Sequence, residues 1–472
     1  GLMMLRRDFM ISAGACALSY PSLAQENDWD YDCDVLVIGA GAAGLSAAVR
    51  ASELGARVIL IEKREIIGGN TLISGGFLGV IDPVRQIPLG ITDSEERHFN
   101  DIWINGGQIA KPALIRTLVK ESQRMLGWLE NKGVKFRNEV IEIYGSHHPR
   151  CHQPILPNGT SYVRALSSEA MSRKVQILKS TAGQKLLQNN EGRVIGAEAR
   201  QKNKGVRIRA DKAVILTAGG FGANQRMVES FDERLVGLPT NCTTGSTGEM
   251  LLSAARIGVS TVDLKAIQCL PGPLPTGRIR VRFHNDVSRF ILINSEGKRF
   301  VDERSRRDEL TDRILSTPQK SCFCIIDNDA LVMADLIVQR DAIRAAETGD
   351  AIKADSIEEL AQKLGIDSAV LRQTIEERNN TIKADNEKNK RFPIAKAPFW
   401  AARVGMCVHY TMGGLVIDSS TRCLSDGRPV PGLFAAGEIT GGIHGRNRIG
   451  GNGLADAFTF GMIAAEQALK NA

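Results

Sequence analysis

The sequence predicts an α/β fold in which a parallel sheet carries a dinucleotide site and a second, α+β region is inserted into the chain. Two apolar runs, at 35–38 and 58–61, have the continuous hydrophobicity of strands that are buried on both faces of a sheet. A glycine turn and an Ala-rich helix connect these runs, as in a βαβ unit. Glycine-rich signals of this kind stop near residue 265 and resume near residue 408, which indicates an insertion.

The stretch from Asp34 to Glu62 has the order strand, glycine turn, helix, strand and acid that is typical of a Rossmann-like unit. Gly39 allows a tight turn, Gly41 lets the backbone approach a pyrophosphate, and Gly44 lets the helix pack on the strand. The helix directs its unbonded N–H groups and the positive end of its dipole at the phosphates. Glu62 is placed to accept hydrogen bonds from the adenosine ribose.

Three later segments carry further cofactor signals. A glycine-dense loop at 66–76 lets backbone lie against a flat ring or a diphosphate. A buried strand at 213–216 runs into glycines, and the segment 432–453 contains a strand, a glycine turn with an acid and a glycine-lined helix start. Besides the residues named above, we therefore expect cofactor contacts from Ala43, Lys63, Gly69, Asn70, Thr71, Gly75, Gly76, Ala218, Gly219, Gly220, Gly437, Glu438, Asn452 and Leu454.

Composition limits the function classes. The 472 residues are 43% hydrophobic and 24% charged, which is ordinary for a globular protein long enough for two domains. The net charge of +7 suits small anionic substrates or an acidic partner, whereas 5% aromatic residues argue against nucleic acid. No second strand–glycine–helix–acid unit is found, so a nicotinamide domain is not expected.

The first 24 residues have the pattern of an export signal. Arg6 and Arg7 precede an apolar, small-residue run at 11–20, and Ser22-Leu23-Ala24 resembles a cleavage site. Paired arginines indicate the twin-arginine route, and hence a periplasmic protein. A terminus unrelated to export is the alternative interpretation. No other segment is apolar for ~20 residues, so we expect no membrane insertion of the mature chain.

The cysteines and histidines do not form a recognisable metal or haem motif. No Cys-x-x-Cys-His occurs, so no c-type haem is expected on this chain. The segment 147–152 holds three histidines and a cysteine without standard zinc spacing, and no metal site is predicted there. Cys322 and Cys324 alternate in an apolar run and are interpreted as buried thiols.

The predicted insertion spans residues 266–407, and residues 30–265 and 408–472 form the first domain. The insertion opens with a Pro/Gly-rich segment at 270–275. It contains a helix that begins with a capping box, Ser356 and Glu359. A charged run at 383–391 near its end is interpreted as a solvated loop.

Three motifs of the last quarter carry a resemblance to a known family: His-Tyr-Thr-Met-Gly-Gly at 409–414, Ala-Gly-Glu at 436–438 and Asn-Arg-Ile-Gly-Gly-Asn at 447–452. Together they resemble the flavoprotein subunit of fumarate reductases and succinate dehydrogenases, in particular the soluble periplasmic flavocytochrome c type. The resemblance implies a Rossmann-like FAD-binding domain closed by a capping (clamp) domain at 266–407. It implies noncovalent FAD, because no flavin-linking histidine stands near Thr71.

The resemblance also assigns roles in reduction of an unsaturated carboxylate. Arg448 and His409 match residues that hold one substrate carboxylate, and Arg307 matches a proton-donating arginine in the run 303–308. Ordinary surface ion pairing is the alternative for either arginine. With no haem in the chain, a separate c-type cytochrome is the expected electron donor in anaerobic respiration.

Two departures from the family pattern bear on the substrate. Leu270-Pro271 stands where fumarate reductases have a His-Pro whose histidine holds the second carboxylate. The proton-relay Glu and Arg fall on Phe283 and Asp286, where Arg280, Arg282, His284 and Asp286 are candidate replacements. We therefore expect a 2-enoate whose far end is less polar than that of fumarate, such as an acrylate, a methacrylate or urocanate.

Two other classes of protein remain open at this point. A flavin dehydrogenase of the ketosteroid type would have a tyrosine-based site and no paired cations. A non-catalytic FAD-bearing electron-transfer subunit would not depend on Arg307 for electron transfer.

Overall fold

The computed structural model describes residues 28–272, 274, 277–279, 281–384 and 391–470. The export signal predicted over residues 1–24, and Arg280, lie outside the described residues. Within the described ranges the protein is a mixed α/β structure, as the sequence predicts.

Nineteen strands are formed by the described residues. They are β1 (Tyr31–Ile38), β2 (Val58–Ile61), β3 (Leu78–Gly79), β4 (Phe136–Ile141), β5 (Cys151–Pro154), β6 (Gln176–Leu178), β7 (Thr181–Gln188), β8 (Val194–Gln201), β9 (Lys204–Leu216), β10 (Thr261–Val262), β11 (Ile267–Gly272), β12 (Ile291–Ile293), β13 (Cys322–Ile326), β14 (Ala351–Ala354), β15 (Phe399–Thr411), β16 (Gly414–Val416), β17 (Arg422–Ser425), β18 (Arg428–Ala435) and β19 (Thr440–Gly441).

The α-helices within the same ranges are α1 (Ala42–Glu53), α2 (Gly69–Ile73), α3 (Pro83–Gln86), α4 (Glu95–Asn105), α5 (Pro112–Asn131), α6 (Thr160–Ser172), α7 (Gln225–Phe231), α8 (Glu249–Arg256), α9 (Arg307–Leu315), α10 (Asn328–Met333), α11 (Leu336–Thr348), α12 (Ile357–Leu364), α13 (Ser368–Ala384) and α14 (Asn452–Lys470). Two short 3₁₀ turns cover Ile87–Leu89 and Glu233–Leu235.

The central sheet has the order β17-β18-β9-β1-β2-β6 and is parallel from β18 to β6. Val35 of β1 faces Val58 of β2 on one side and Ala213 of β9 on the other, so the three predicted apolar runs are neighbours. Their side chains are buried, because helices cover the sheet and leave no face for polar residues. The prediction of a parallel α/β sheet is therefore confirmed.

Antiparallel strands extend this sheet on the side of β9. The alternating pattern between 175 and 216 forms β7, β8 and the first half of β9, which pair antiparallel. The second half of β9 is apolar and joins the parallel sheet beside β1. The side chains of β9 therefore alternate between exposed and buried in its first half and are all buried near its end, where the strand lies inside the parallel sheet.

Helices α1 and α14 cover the cofactor side of the sheet and pack against each other. The Ser46 hydroxyl donates to the Phe458 carbonyl oxygen at 2.7 Å, which links the two helices inside the core. Helix α5 is amphipathic, and its apolar face, which includes Leu118 and Met125, is buried.

A second sheet lies within the region predicted as an insertion. It has the order β11-β15-β13-β12, with β14 also on β15, and it packs a smaller apolar core around Ile291, Ile325 and Leu360. Strand β15 runs unbroken through the predicted boundary at 407/408. The division into 30–265 with 408–472 and 266–407 stays a prediction. Cys322 and Cys324, in β13, are buried as expected.

The predicted capping box of helix α12 is shifted by one residue. The Ser356 hydroxyl accepts from the Glu359 amide at 3.1 Å, as predicted. The Glu359 carboxylate accepts from the Asp355 amide at 2.8 Å, one residue before the position that a standard box uses.

Among the described residues, no helix has both the length and the apolar composition that crossing a bilayer requires.

The close contact of α1 with the β1 turn gives a test of the fold. A Cβ atom on Gly44 would overlap the carbonyl oxygen of Gly39, whereas a Cβ on Gly127, in the exposed middle of α5, would meet no atom within 4 Å. Gly44→Ala is expected to cost on the order of 3 kcal/mol or more of unfolding free energy. Gly127→Ala should instead stabilise by about 0.5–1 kcal/mol.

Urea unfolding of the two variants checks this prediction. Equal stabilities for Gly44→Ala and Gly127→Ala would contradict the packing of α1 on the β1 turn.

Candidate active site

A cavity of about 540 Å³ opens along the carboxyl ends of the parallel strands. This is the edge at which doubly wound sheets bind their ligands, because turns there leave a crevice. Fifteen of the predicted cofactor residues line it: Gly39, Gly41, Ala43, Glu62, Lys63, Gly69, Asn70, Thr71, Gly75, Gly76, Ala218, Gly219, Gly437, Glu438 and Leu454.

Three predicted cofactor residues do not line the cavity. Gly44 faces the β1 turn, where its missing side chain lets α1 approach. Gly220 is packed beside the side chains of Thr411 and Glu438. Asn452 is buried, and its side-chain oxygen contacts the His98 imidazole at 3.4 Å. Packing explains why two of these positions are glycines and why the third is an asparagine at a helix start. Sequence spacing alone does not distinguish such packing from contact with a ligand.

The backbone around the first turn fits a dinucleotide diphosphate. Gly41 precedes α1, whose first amide, that of Ala42, donates to the Thr71 hydroxyl at 3.0 Å, and Gly41, Ala42 and Ala43 line the cavity at this helix start. A Cβ on Gly41 or on Gly69 would find no atom closer than 3.8 Å, and one on Gly219 none within 4 Å. These glycines therefore leave a groove against which a flat or charged ligand lies on bare backbone.

Glu62 lies where a ribose-binding acid is needed. It is buried at the end of β2, and its carboxylate accepts from the Arg64 amide at 3.3 Å and from the Ala40 amide at 3.5 Å. The carboxylate is thereby fixed in the cavity wall, with acceptor capacity left for ligand hydroxyls.

Two buried arginines from separate segments of the chain face the same cavity. Arg307 begins α9 and is 3% exposed, and Arg448 lies in the loop before α14 and is 5% exposed. Gln268 of β11 connects them: its side-chain oxygen accepts from Arg307 Nη1 at 3.2 Å, and its amide nitrogen donates to the Arg448 carbonyl at 2.8 Å. Within the described ranges, neither arginine forms an ion pair with a carboxylate.

Each arginine instead lies against the face of a tyrosine ring. The Arg307 guanidinium carbon is 4.8 Å from the centroid of Tyr144, and that of Arg448 is 4.2 Å from the centroid of Tyr410. Ring faces stabilise a cation without cancelling its charge. Both charges therefore remain available to an anionic ligand.

Burial lowers the pKa of both guanidinium groups. The pKa of Arg307 falls to about 10, chiefly by desolvation, with a further lowering by the charge of Arg448 against an opposing effect of Tyr144. The pKa of Arg448 is also lowered by desolvation. A guanidinium with a pKa near 10 releases a proton more readily than one in water.

Glu438 is the buried acid nearest to this charge. It accepts from the Thr411 amide at 3.0 Å, and burial raises the pKa of its carboxyl to about 7, against the lowering effects of that hydrogen bond and of Arg448. Near neutral pH it is thus only partly ionised, and the cavity keeps an excess of positive charge.

His409, near the end of β15, lies in the same cavity wall. Its Nδ1 is 2.9 Å from the Asn241 side-chain oxygen, so Nδ1 carries a proton and Nε2 is the other ring nitrogen. Cys242, beside it, donates its thiol to the His409 carbonyl at 3.0 Å. The structure thus brings Arg307, His409 and Arg448 into one cavity.

Several residues in or beside the cavity were not singled out as ligand contacts from the sequence. Gln268 and Tyr144 have no motif, and only their place beside Arg307 reveals them. Of the relay candidates, Arg282 lines the cavity and donates to the Asn158 side chain at 2.8 Å. Asp286 instead accepts from Ser288, 2.6 Å away. Among the described residues, no group of His, Cys, Asp and Glu could hold a metal ion.

A parallel sheet with a glycine-lined diphosphate groove and a cationic chamber beside it defines a dinucleotide-dependent α/β oxidoreductase. The family described as "FAD binding domain" matches residues 34–454. The chain belongs to this FAD-binding family, and FAD is its cofactor.

Among known relatives, a fumarate reductase (cytochrome) of Shewanella frigidimarina is 34% identical over 446 residues, which cover 93% of this chain and 77% of that protein. A urocanate reductase of Eggerthella lenta is 34% identical over 461 residues, covering 93% and 74%. The open conformation of a flavocytochrome c3 fumarate reductase has a TM-score of 0.74 at 29% identity, covering 98% of this chain and 81% of that one.

A 3-ketosteroid-Δ4-(5α)-dehydrogenase of Rhodococcus jostii has a TM-score of 0.72 at 25% identity, covering 95% of this chain and 99% of that one. The overall fold therefore does not distinguish a fumarate reductase from a ketosteroid dehydrogenase. Only the side chains of the site can do so.

Glu62 gives a test of the cofactor groove. Glu62→Ala removes a fixed acceptor for the ribose, and the Kd for FAD should rise roughly 10–100-fold, the value of one or two charge-assisted hydrogen bonds. Glu65→Ala, three residues on and exposed, is the matched control and should leave the Kd unchanged. Flavin fluorescence quenching on reconstitution measures both, and equal Kd values would contradict this placement of the ribose.

Proposed function

We propose that the protein is a reductase of the C=C bond of an α,β-unsaturated carboxylate. The observation that carries this proposal is the pair of buried arginines, Arg307 and Arg448, facing one cavity beside the cofactor groove without carboxylate partners in the described part of the chain. Such a site favours an anion strongly, because a bound carboxylate compensates charge that the protein leaves uncompensated. The family, with its fumarate and urocanate reductases, supports the same conclusion.

In this proposal, Arg448 holds the substrate carboxylate through its planar donor pair, and His409 donates to the same group. Bound FAD supplies a hydride to the β carbon. Arg307 gives a proton to the α carbon, and its lowered pKa of about 10 brings it closer to the range of a working acid. The fixed positive charges stabilise the negative charge that develops on the carboxylate as the double bond is reduced.

The wall facing the far end of the substrate is mixed. Leu270 and Ile143 line it with apolar surface, whereas Arg282 and Asn285 add polar groups at its margin. Leu270 carries no donor for a second carboxylate, so we propose a substrate whose far end is less polar than that of fumarate, such as acrylate, methacrylate or urocanate.

The export route of the protein, its cellular location and its electron donor are also proposals. The paired arginines at 6–7 and the apolar run after them support export by the twin-arginine route to the periplasm. There, a separate c-type cytochrome would supply electrons during anaerobic respiration, as one chain combines both parts in the flavocytochrome relatives.

A ketosteroid-type dehydrogenase is the second candidate, and Tyr144 and Tyr410 are the observations that favour it. Their rings are covered by guanidinium groups, however, and burying two cations against an uncharged steroid would leave the charges uncompensated. For this reason the carboxylate is preferred.

Oxidation of reduced methyl viologen across a panel of fumarate, acrylate, methacrylate, urocanate and a 3-ketosteroid tests the proposal. A 2-enoate other than fumarate is expected to give the highest kcat/KM. Turnover of fumarate far above the others would refute a substrate with a less polar far end, and turnover of no acid would refute the proposed reductase activity.

If Arg307→Ala left turnover intact, Arg307 would not be the proton donor.

Arg448 and its neighbour Arg446 form a matched pair for the carboxylate contact. Arg448→Ala should lower kcat/KM for the best acid roughly 10²–10³-fold, since it removes a buried charge that pairs with the substrate. Arg446 lies two residues away with the same charge but is exposed, and Arg446→Ala should change kcat/KM less than twofold. Similar losses in both would mean that general charge, not contact, attracts the substrate.

A further inference from the structure

The neighbours of Arg307 raise the question of how it regains a proton. An arginine that protonates a substrate must be recharged before the next turnover, and this requires a neighbouring group that exchanges protons. The position where related enzymes carry a relay glutamate holds Phe283, whose ring packs against Trp400 with centroids 6.1 Å apart. The Asp286 carboxylate accepts a hydrogen bond from the Ser288 hydroxyl, and its Oδ2 lies 3.7 Å from Arg289 Nε.

Tyr144 is in contact with Arg307 from the cavity side. Its ring centroid is 4.8 Å from the guanidinium carbon, and the residue is buried while still lining the cavity. Its phenol interacts electrostatically with both Arg307 and Arg448. On its other side the ring of His284 meets it edge-on at 5.4 Å between centroids.

Other proton-bearing neighbours are less suited. The Cys151 thiol is fully buried, and desolvation raises its pKa to about 11. His147 lies near Arg304, Arg306 and Arg307, and burial lowers the pKa of its imidazole to about 4, so it holds no extra proton at neutral pH. The Tyr144 phenol carries an exchangeable proton, contacts Arg307 and lines the cavity, so it lies between the guanidinium and cavity solvent.

We propose that the Tyr144 hydroxyl returns the proton to Arg307 after each reduction, an assignment that rests on the proposed function. Once Arg307 has given its proton to the α carbon, the neutral guanidine takes the phenolic proton through cavity water. The phenolate then takes a proton from solvent, so that one solvent proton is consumed per substrate. Among the described residues, Arg307 and His284 lie against the Tyr144 ring, and Arg448 interacts with it electrostatically.

Tyr144→Phe keeps the ring under Arg307 and removes only the exchangeable proton. The expected result is a fall in kcat of about tenfold or more with KM within twofold, a loss that grows as the pH rises from 6 to 9 because hydronium becomes scarce. Flavin reduction by reduced methyl viologen, measured without substrate, should be unchanged. Tyr31→Phe, far from the cavity with its hydroxyl on Gln201, is the control and should match the wild type.

A second readout does not depend on turnover. The phenolate absorbance of flavin-loaded protein, taken as the difference from Tyr144→Phe, should titrate at higher pH in Arg307→Gln, because a facing positive charge is lost. A wild-type kcat and pH profile in Tyr144→Phe, or an unmoved titration in Arg307→Gln, would overturn the relay while leaving the reductase intact. A wild type that reduces no acid overturns the proposed function, and the relay with it.

Discussion

Burial of two guanidinium groups in one chamber is the constraint on which the rest of this structure depends. Removing a cation from water costs several kcal/mol unless partners compensate it. The Arg307 guanidinium lies against the Tyr144 ring and donates to Gln268, and the Arg448 guanidinium lies against the Tyr410 ring. Within the described residues, no carboxylate pairs with either group. The two positive charges are therefore only partly compensated by the protein, and a bound anionic ligand would supply the missing negative charge.

The glycines of the last loop acquire a second explanation from this constraint. A Cβ on Gly450 would lie 2.8 Å from an Arg307 terminal nitrogen, and one on Gly453 would lie 3.0 Å from Arg448 Nη1. On the other side of Arg307, a Cβ on Gly145 would press on its methylene groups. Glycine-rich sequence is needed here to give the guanidinium groups room, as well as to let backbone approach the cofactor.

Much of the fold was predictable because buried parallel strands and the helices on them leave simple patterns. The runs at 35–38, 58–61 and 213–216 are neighbours in the sheet as expected, and fifteen of eighteen cofactor residues line the cavity. Gly44, Gly220 and Asn452 show the limit, since packing and ligand contact favour the same residue types. Tyr144 and Gln268 were beyond reach, because their importance comes from meeting residues 163 and 39 positions away in the chain.

The second sheet explains how one fold serves different chemistries. Strand β11 presents Leu270 to the cavity and places Gln268 beside Arg307, which begins α9, so three determinants of the site come from the region between 266 and 407. The parallel sheet supplies the cofactor groove that a ketosteroid dehydrogenase of nearly equal structural similarity also has. In the proposed function, selection between a steroid and a carboxylate depends on the charges that Arg307 and Arg448 add to the groove. Burial lowers the pKa of Arg307 to about 10, and the same buried charge would then serve both substrate selection and proton donation.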